Sequence, residues 1–343
     1  VTRRRDSSAA ADAAAPHGSG PSHAEIRVPA ALALVLAVFG GIGLAVQGRL
    51  NSELGVQLQD RIGAALISFG TGFIAVLVFA TVLPSARARL RRVPSLFRQR
   101  RYPPWYLLAG LIGAFYVFTQ TVAVGPIGLS LFTIAVVTGQ LASGLVVDRL
   151  GLGSGKKIPV NGVRVAGAVL ALAAAVTAAL PHFGNSLSTA LLVLFMLLPL
   201  AAGLMQSVQQ GMLGQIATVH GSPVISTLFN FGTGTVALLA VWTTQALTSG
   251  QTGLLTPQWW LYTGGPLGTL VLGAATLSVA NTGVLLTSLA MIGGQLVGSL
   301  VLDILWPTAG SLVGAATIAG IVLTSLALVI ASRPWRGKGR ARR

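Results

Sequence analysis

Continuous apolar runs, each close to the ~20 residues that one helical bilayer crossing takes, recur near 28–48, 61–83, 105–124, 128–147 and 162–180. A second set follows near 188–209, 222–247, 259–280, 283–302 and 309–332. The runs do not alternate polar and apolar positions, so they predict helices rather than the strands of a transmembrane barrel, which switch sides over roughly ten residues. The pattern therefore predicts an all-α membrane protein with ten transmembrane helices. The first run, Val28 to Gln47, is too long for a signal-peptide core and no A-x-A cleavage site follows it, so it reads as a retained span. Residues 1–27 carry Arg3, Arg4 and Arg5 among Ala, Ser and Gly, and read as a disordered basic tail. Residues 333–343 read as a basic cytoplasmic tail.

Composition sharpens this picture. Only 9% of residues are charged against 53% hydrophobic, and between Arg164 and Arg333 the single charge is Asp303. The formal charge of +16 is gathered between and beyond the spans, where it reads as topology and not as a nucleic-acid footprint. The segment from Pro84 to Pro104 holds Arg87, Arg89, Arg91, Arg92, Arg98, Arg100 and Arg101, and Arg149, Lys156 and Lys157 follow the fourth span. Both segments are expected in the cytoplasm, with both termini. Arg49 and Arg61 run against the rule; they are expected to flank a first outer loop beside Glu53 and Asp60, whose carboxylates are expected to be solvated. The chain has no cysteine, which removes disulfides, thiolate metal sites and cysteine nucleophiles. His17 and His23 lie in the tail and receive no role, and no metal or cofactor is expected.

The chain also repeats itself. An offset of 162 lays Val46, Gln47, Phe69, Gly70, Thr71 and Gly72 on Val208, Gln209, Phe231, Gly232, Thr233 and Gly234. An offset of 155 then lays Trp105, Gly110, Gly113, Gly128, Gly139, Gln140, Leu141 and Asp148 on Trp260, Gly265, Gly268, Gly283, Gly294, Gln295, Leu296 and Asp303. The expected domains are thus a first five-helix repeat over 28–182 and a second over 186–332. An odd number of spans turns the second copy over, so the repeats are expected to be inverted, with a shared cavity near the bilayer midplane. The counterpart of the arginine-rich loop, Thr248 to Gln258, has no basic residue and is expected outside.

The runs A-V-Q-G-R-L-N-S-E-L-G (Ala45 to Gly55), I-S-F-G-T-G (Ile67 to Gly72), W-Y-L-L-A-G-L-I-G-A-F-Y (Trp105 to Tyr116) and T-G-Q-L-A-S-G-L-V-V-D (Thr138 to Asp148) resemble the YdcZ-like branch of the drug/metabolite transporter (DMT) superfamily. The resemblance covers 30–332 and implies an EamA-like bundle, an inner-membrane location and an exporter's activity, with the chain as two fused five-helix units. It says nothing of cargo. In the second unit Gly211, Leu213 and Gln215 replace Arg49, Asn51 and Glu53, so that pattern is not duplicated.

Amides in spans are costly facing lipid, so Gln47, Asn51, Gln120 and Gln140 in the first half, and Gln206, Gln209, Gln210, Asn230, Asn281 and Gln295 in the second, are expected to face the bundle interior. There they either line a cavity for cargo or tie helices together. Tyr116 lies three turns into its helix and joins Gln47, Asn51, Gln120, Gln140, Gln209, Asn230, Asn281 and Gln295 as a candidate substrate contact. Trp105 and Trp260, at span starts, read as interfacial anchors. The Gly-x-x-x-Gly pairs Gly264/Gly268, Gly294/Gly298 and Gly310/Gly314 read as helix-packing sites. Asp148 and Asp303 fall at span ends on opposite faces, and Glu53 is the candidate for proton coupling by elimination. His182 and His220 fall at loops on opposite faces and form no catalytic constellation.

These features point to a secondary carrier for a small neutral, zwitterionic or weakly charged solute. No G-x-x-x-x-G-K-[ST] loop is present for nucleotide-driven pumping. The expected partners are that small-molecule substrate and membrane lipid, without nucleic acid, and with a second copy of the chain as a candidate for a homodimer. A non-transporting scaffold, or an intramembrane enzyme, is the alternative.

Overall fold

The computed structural model describes residues 29–99, 101–150, 162–183, 187–250, 253 and 255–332, and every regular element among them is helical. Nine helices among the described residues are long and apolar enough to cross a membrane. Their outer surface carries bare aliphatic and aromatic side chains such as Phe39, Ile74, Val169 and Val236, each more than 60% exposed. The buried interior includes Gln47, Asn51, Gln120 and Thr133. Apolar outside and amides inside is the distribution that lipid selects and water does not.

In chain order the helices are α1 (Ala30–Gln57), α2 (Arg61–Val82), the short α3 (Pro84–Leu90) and α4 (Val93–Arg98), α5 (Ala109–Ile127), α6 (Leu129–Leu150) and α7 (Gly162–Ala179). They continue with α8 (Thr189–His220), α9 (Pro223–Ser249), α10 (Gly264–Leu305) and α11 (Ala315–Ser332). The segment expected as an arginine-rich loop thus contains two short helices, and Trp105 and Trp260 sit half-exposed on 3₁₀ turns leading into α5 and α10. Gly128, with φ of +78°, parts α5 from α6, in a left-handed conformation that side chains with a Cβ disfavour.

Two boundaries depart from the sequence reading. The first span does not stop at residue 48 but runs to Gln57, which puts Arg49, Asn51 and Glu53 on a helix instead of in an outer loop. The expectation of solvated carboxylates there is corrected too. Glu53 pairs with Arg49 at 3.2 Å. Asp60 is only 5% exposed and caps α2 by accepting from the Gly63 amide at 2.8 Å and from Trp242 Nε1 at 2.8 Å. A carboxylate at a helix N-terminus meets unpaired amides and the positive end of the helix dipole, which compensates its burial.

The second departure is at α10, where the spans expected at 259–280 and 283–302 form one helical element, Gly264–Leu305. Its contacts nevertheless run along α1 in two opposite senses. On the first arm Gly264 lies at Asn51, Gly268 at Gln47, Val271 at Gly43, and Ser278 donates to the Ala33 carbonyl at 2.7 Å. On the second arm Met291 lies at Gly40 and Gly41, Gly298 at Ile42 and Ala45, and the Trp306 carbonyl receives Arg49 Nε at 3.0 Å. A straight helix of 42 residues would extend ~63 Å and could not do this. The chain reverses direction between Ser278 and Met291.

Close helix packing rests on small residues. A Cβ on Gly139 would strike the Leu200 carbonyl, and one on Gly203 the Val136 carbonyl; on the other side Gly294 meets the Val38 carbonyl and Gly41 the Met291 carbonyl. The offsets that align the sequence halves relate these two contacts residue by residue. The same holds for Gly110 against Asn230 and Gly265 against Ser68, and for Phe69 and Phe231, whose rings meet each other at 5.0 Å. α7 and α11 cross likewise, with Gly167 on Ala327 and Ala331, and Gly320 on Ala174 and Ala178.

Candidate functional site

Between the halves lies a cavity of about 230 Å³. α1 supplies Gln47, α2 Phe69, α5 Tyr116, α8 Gln206, Gln209 and Gln210, α9 Thr227, Asn230 and Phe231, and α10 Val271, Leu272, Ala275 and Met291. Its polar lining consists of amides and hydroxyls, with no ionisable carboxylate or base. Gln209 Nε2 donates to the Ala109 carbonyl at 3.1 Å and to Asn230 Oδ1 at 2.8 Å, which fixes one wall. Gln47, its repeat counterpart, is 6% exposed, and among the described residues its amide has no hydrogen-bond partner. A buried amide left open toward a cavity is a ready donor and acceptor for a small polar solute.

Of the nine candidate contacts, the cavity brings together Gln47, Tyr116, Gln209 and Asn230. Asn51 and Gln120 lie elsewhere: Asn51 Nδ2 donates to Gln120 Oε1 at 2.8 Å, joining α1 to α5. Gln140 Nε2 donates to Gln206 Oε1, and the Gln140 carbonyl receives Ser207 Oγ at 3.1 Å, so Gln140 ties α6 to α8. Gln295 is buried and reaches the Tyr116 hydroxyl at 3.5 Å. Asn281 donates to the Leu277 carbonyl within its own helix at 2.8 Å. Asp303 is buried at the end of α10, where it accepts from the amides of Leu129 at 3.0 Å and Ser130 at 2.6 Å and caps α6. The side chain of Asp148 lies outside the described residues.

The cavity's position follows from an asymmetry. α1 is sealed on α5 by the Asn51–Gln120 bond and by Gly48 and Gly55, which lie against Gln120 and Thr121. The corresponding pair, α8 and α10, makes only marginal contact. There the counterparts of Gly48, Asn51 and Gln120 are Gln210, Leu213 and Ala275, and all three line the cavity.

A second and larger pocket, of about 460 Å³, lies at the other end of α1, beyond the Asn51–Gln120 bond. Arg49, Ser52, Glu53 and Arg61 line it with Pro126 and the segment from Pro307 to Gly310. Arg49 is 3% exposed; it donates to Glu53 at 3.2 Å and to the carbonyls of Trp306 at 3.0 Å and Pro307 at 3.2 Å, and lies 4.5 Å over the Trp306 ring. That coordination is what lets a guanidinium remain in a membrane helix.

The sequence reading did not single out Phe69, Phe231 or Thr227 for the cavity, or Ser52 for the second pocket. For the two phenylalanines the signal was present, since the repeat offset pairs them. Ser52 and Thr227 carry no such mark.

A search of curated proteins gives no match. The family described as "Putative inner membrane exporter, YdcZ" matches residues 32–177 and 194–330, two blocks that together take in most of the chain. With its long apolar helices and two matched blocks, the chain belongs to the YdcZ family of the drug/metabolite transporter superfamily, a family of multi-pass inner-membrane proteins.

Proposed function

We propose that the protein is a secondary carrier that exports a small neutral, zwitterionic or weakly charged metabolite by alternating access through the cavity between its halves. The observation that carries the reading is the uncharged, amide-lined cavity bounded by helices of both halves, with Gln47 unengaged in its wall. We read the ten apolar runs as ten crossings, with the two arms of α10 as the eighth and ninth. The opposite senses in which those arms follow α1 support this. Contacts that map onto each other when the halves are exchanged, such as Gly139 on Leu200 and Gly294 on Val38, are what a two-fold axis in the membrane plane requires, and they support an inverted repeat. With the arginine-rich segment inside, the sealed α1–α5 face is external and the open α8–α10 face internal, so the form described is inward-facing.

The test is solute counterflow in proteoliposomes with Gln47→Leu and Gln210→Leu, two side chains that hold no helix in place. Unchanged protein yield with transport reduced at least tenfold is expected. Wild-type rates in the double variant would overturn the reading.

A further inference from the structure

We propose that the pocket at the outer end of α1 is a ligand site for the carboxylate of a small monocarboxylic acid. The proposal stands apart from the carrier reading, because it concerns binding at a place separated from the cavity by the Asn51–Gln120 bond. Two guanidiniums, Arg49 and Arg61, and one carboxylate, Glu53, line the pocket; Glu53 is paired with Arg49, and among the described residues Arg61 has no carboxylate at ion-pair distance. Asp303 adds its negative charge on the Arg49 side, where its oxygens hold the amides of Leu129 and Ser130 and the Ser311 hydroxyl at 2.6 Å, so Arg61 is the guanidinium that lacks a counter-ion. A monoanion gives Arg61 the counter-ion that it lacks, whereas a dianion adds a second negative charge beside Glu53.

The donors are in place as well. Arg61 spends Nη1 on the Thr121 carbonyl, while its Nε and Nη2 have no partner among the described residues. The Ser52 hydroxyl is fully buried, lines the same pocket and is likewise unpartnered. A guanidinium edge with two parallel N–H groups matches the two oxygens of a carboxylate, and a neighbouring hydroxyl completes its coordination. A buried hydroxyl left without an acceptor is costly, so a pocket that holds one beside two open N–H groups of a half-buried guanidinium is suited to a ligand that brings acceptors. Arg49, by contrast, is held by Glu53, Trp306 and Pro307, and acts as the fixed wall.

The experiment uses the full chain in nanodiscs, titrated with sodium lactate at constant ionic strength and read by tryptophan fluorescence and by the thermal unfolding midpoint. Trp306, packed on Arg49, is the reporter at the pocket. Saturable binding is expected, weakened at least tenfold by Arg61→Gln and about threefold by Ser52→Ala. The serine variant removes only a hydroxyl and keeps the test decisive if the arginine variant does not assemble. Gln47→Leu should leave lactate binding intact while reducing transport, so loss of one property is distinguishable from loss of the other. No saturable response beyond that to chloride, phosphate binding as tightly as lactate, or lactate binding indifferent to both pocket variants would each overturn the proposal.

Discussion

The two faces at which a first helix meets the third helix of its own half are built from the same repeat and end differently. On α1 and α5, Gly48 admits Gln120 closely enough for Asn51 to bond it at 2.8 Å, and the face is shut. On α8 and α10, Gln210 stands in place of the glycine, and Leu213 and Ala275 in place of the amide pair; the face is open. The difference is chemical as well as geometric. A buried amide–amide bond contributes a net ~0.5–1.5 kcal/mol and has a direction, whereas a leucine–alanine contact is weak against competing lipid-like surroundings. On the carrier reading proposed above, this unequal pair of latches biases the protein toward the inward-facing form by a margin small enough for cargo to reverse.

The largest expected effect tests whether the halves are related by exchange at all. Leucine at Gly139 or at Gly294 would drive a side chain into the facing helix backbone, where no flexible group can yield. Each substitution should cost about 3 kcal/mol or more and remove the monodisperse peak in detergent size-exclusion chromatography. The two losses should match, and one tolerated variant would break the comparison. A smaller effect tests the latch. Asn51→Leu alone leaves the buried Gln120 Oε1 without its Asn51 donor, a cost of about 1–3 kcal/mol to the closed face. Asn51→Leu with Gln120→Ala copies the open face instead and relieves that cost. The chain has no native cysteine, so single cysteines report cleanly. Gly48→Cys should be protected from an external thiol reagent in the parent chain and react about tenfold faster in the double variant, with Leu213→Cys moving the opposite way from inside.

Much of this was legible before any coordinates. Hydropathy located the long apolar helices because lipid imposes one requirement on every residue of a span, and the offsets of the repeat relate the glycine contacts of one half to those of the other. The end of α1 was not legible, since Arg49 looks like a loop residue until Trp306, Pro307 and Glu53, two of them more than 250 positions away, are seen around it. The buried Asp60 was missed for the same reason: its indole partner, Trp242, comes from α9. The amides divide along this line. Residue type and depth alike put Gln47 and Gln140 among the expected inward-facing amides, and they differ in what stands opposite them, a cavity in one case and Gln206 in the other.

The smallest expected effect concerns the C-terminal end of α8, beside the open face, where the halves differ again. Tyr102, just before the third span, places its hydroxyl 3.1 Å from His220 Nε2 at the end of α8. The offsets put Pro257 and Leu58 at the corresponding places, so no such bond exists at the other end. Burial pushes the Tyr102 hydroxyl above its ordinary value, which means the folded state holds that proton more tightly than the unfolded chain does. Its contribution is therefore complete below about pH 10 and is lost as pH rises through the raised value. Tyr102→Phe should lower stability by about 0.5–1.5 kcal/mol at neutral pH. In thermal unfolding from pH 8 to 11.5 the variant should also decline less steeply on the alkaline side than the parent. Parallel alkaline limbs would mean that the hydroxyl ionises as freely in the fold as outside it, and that this end of α8 is held by the ring contacts of His220 with Tyr102 and Phe229 alone.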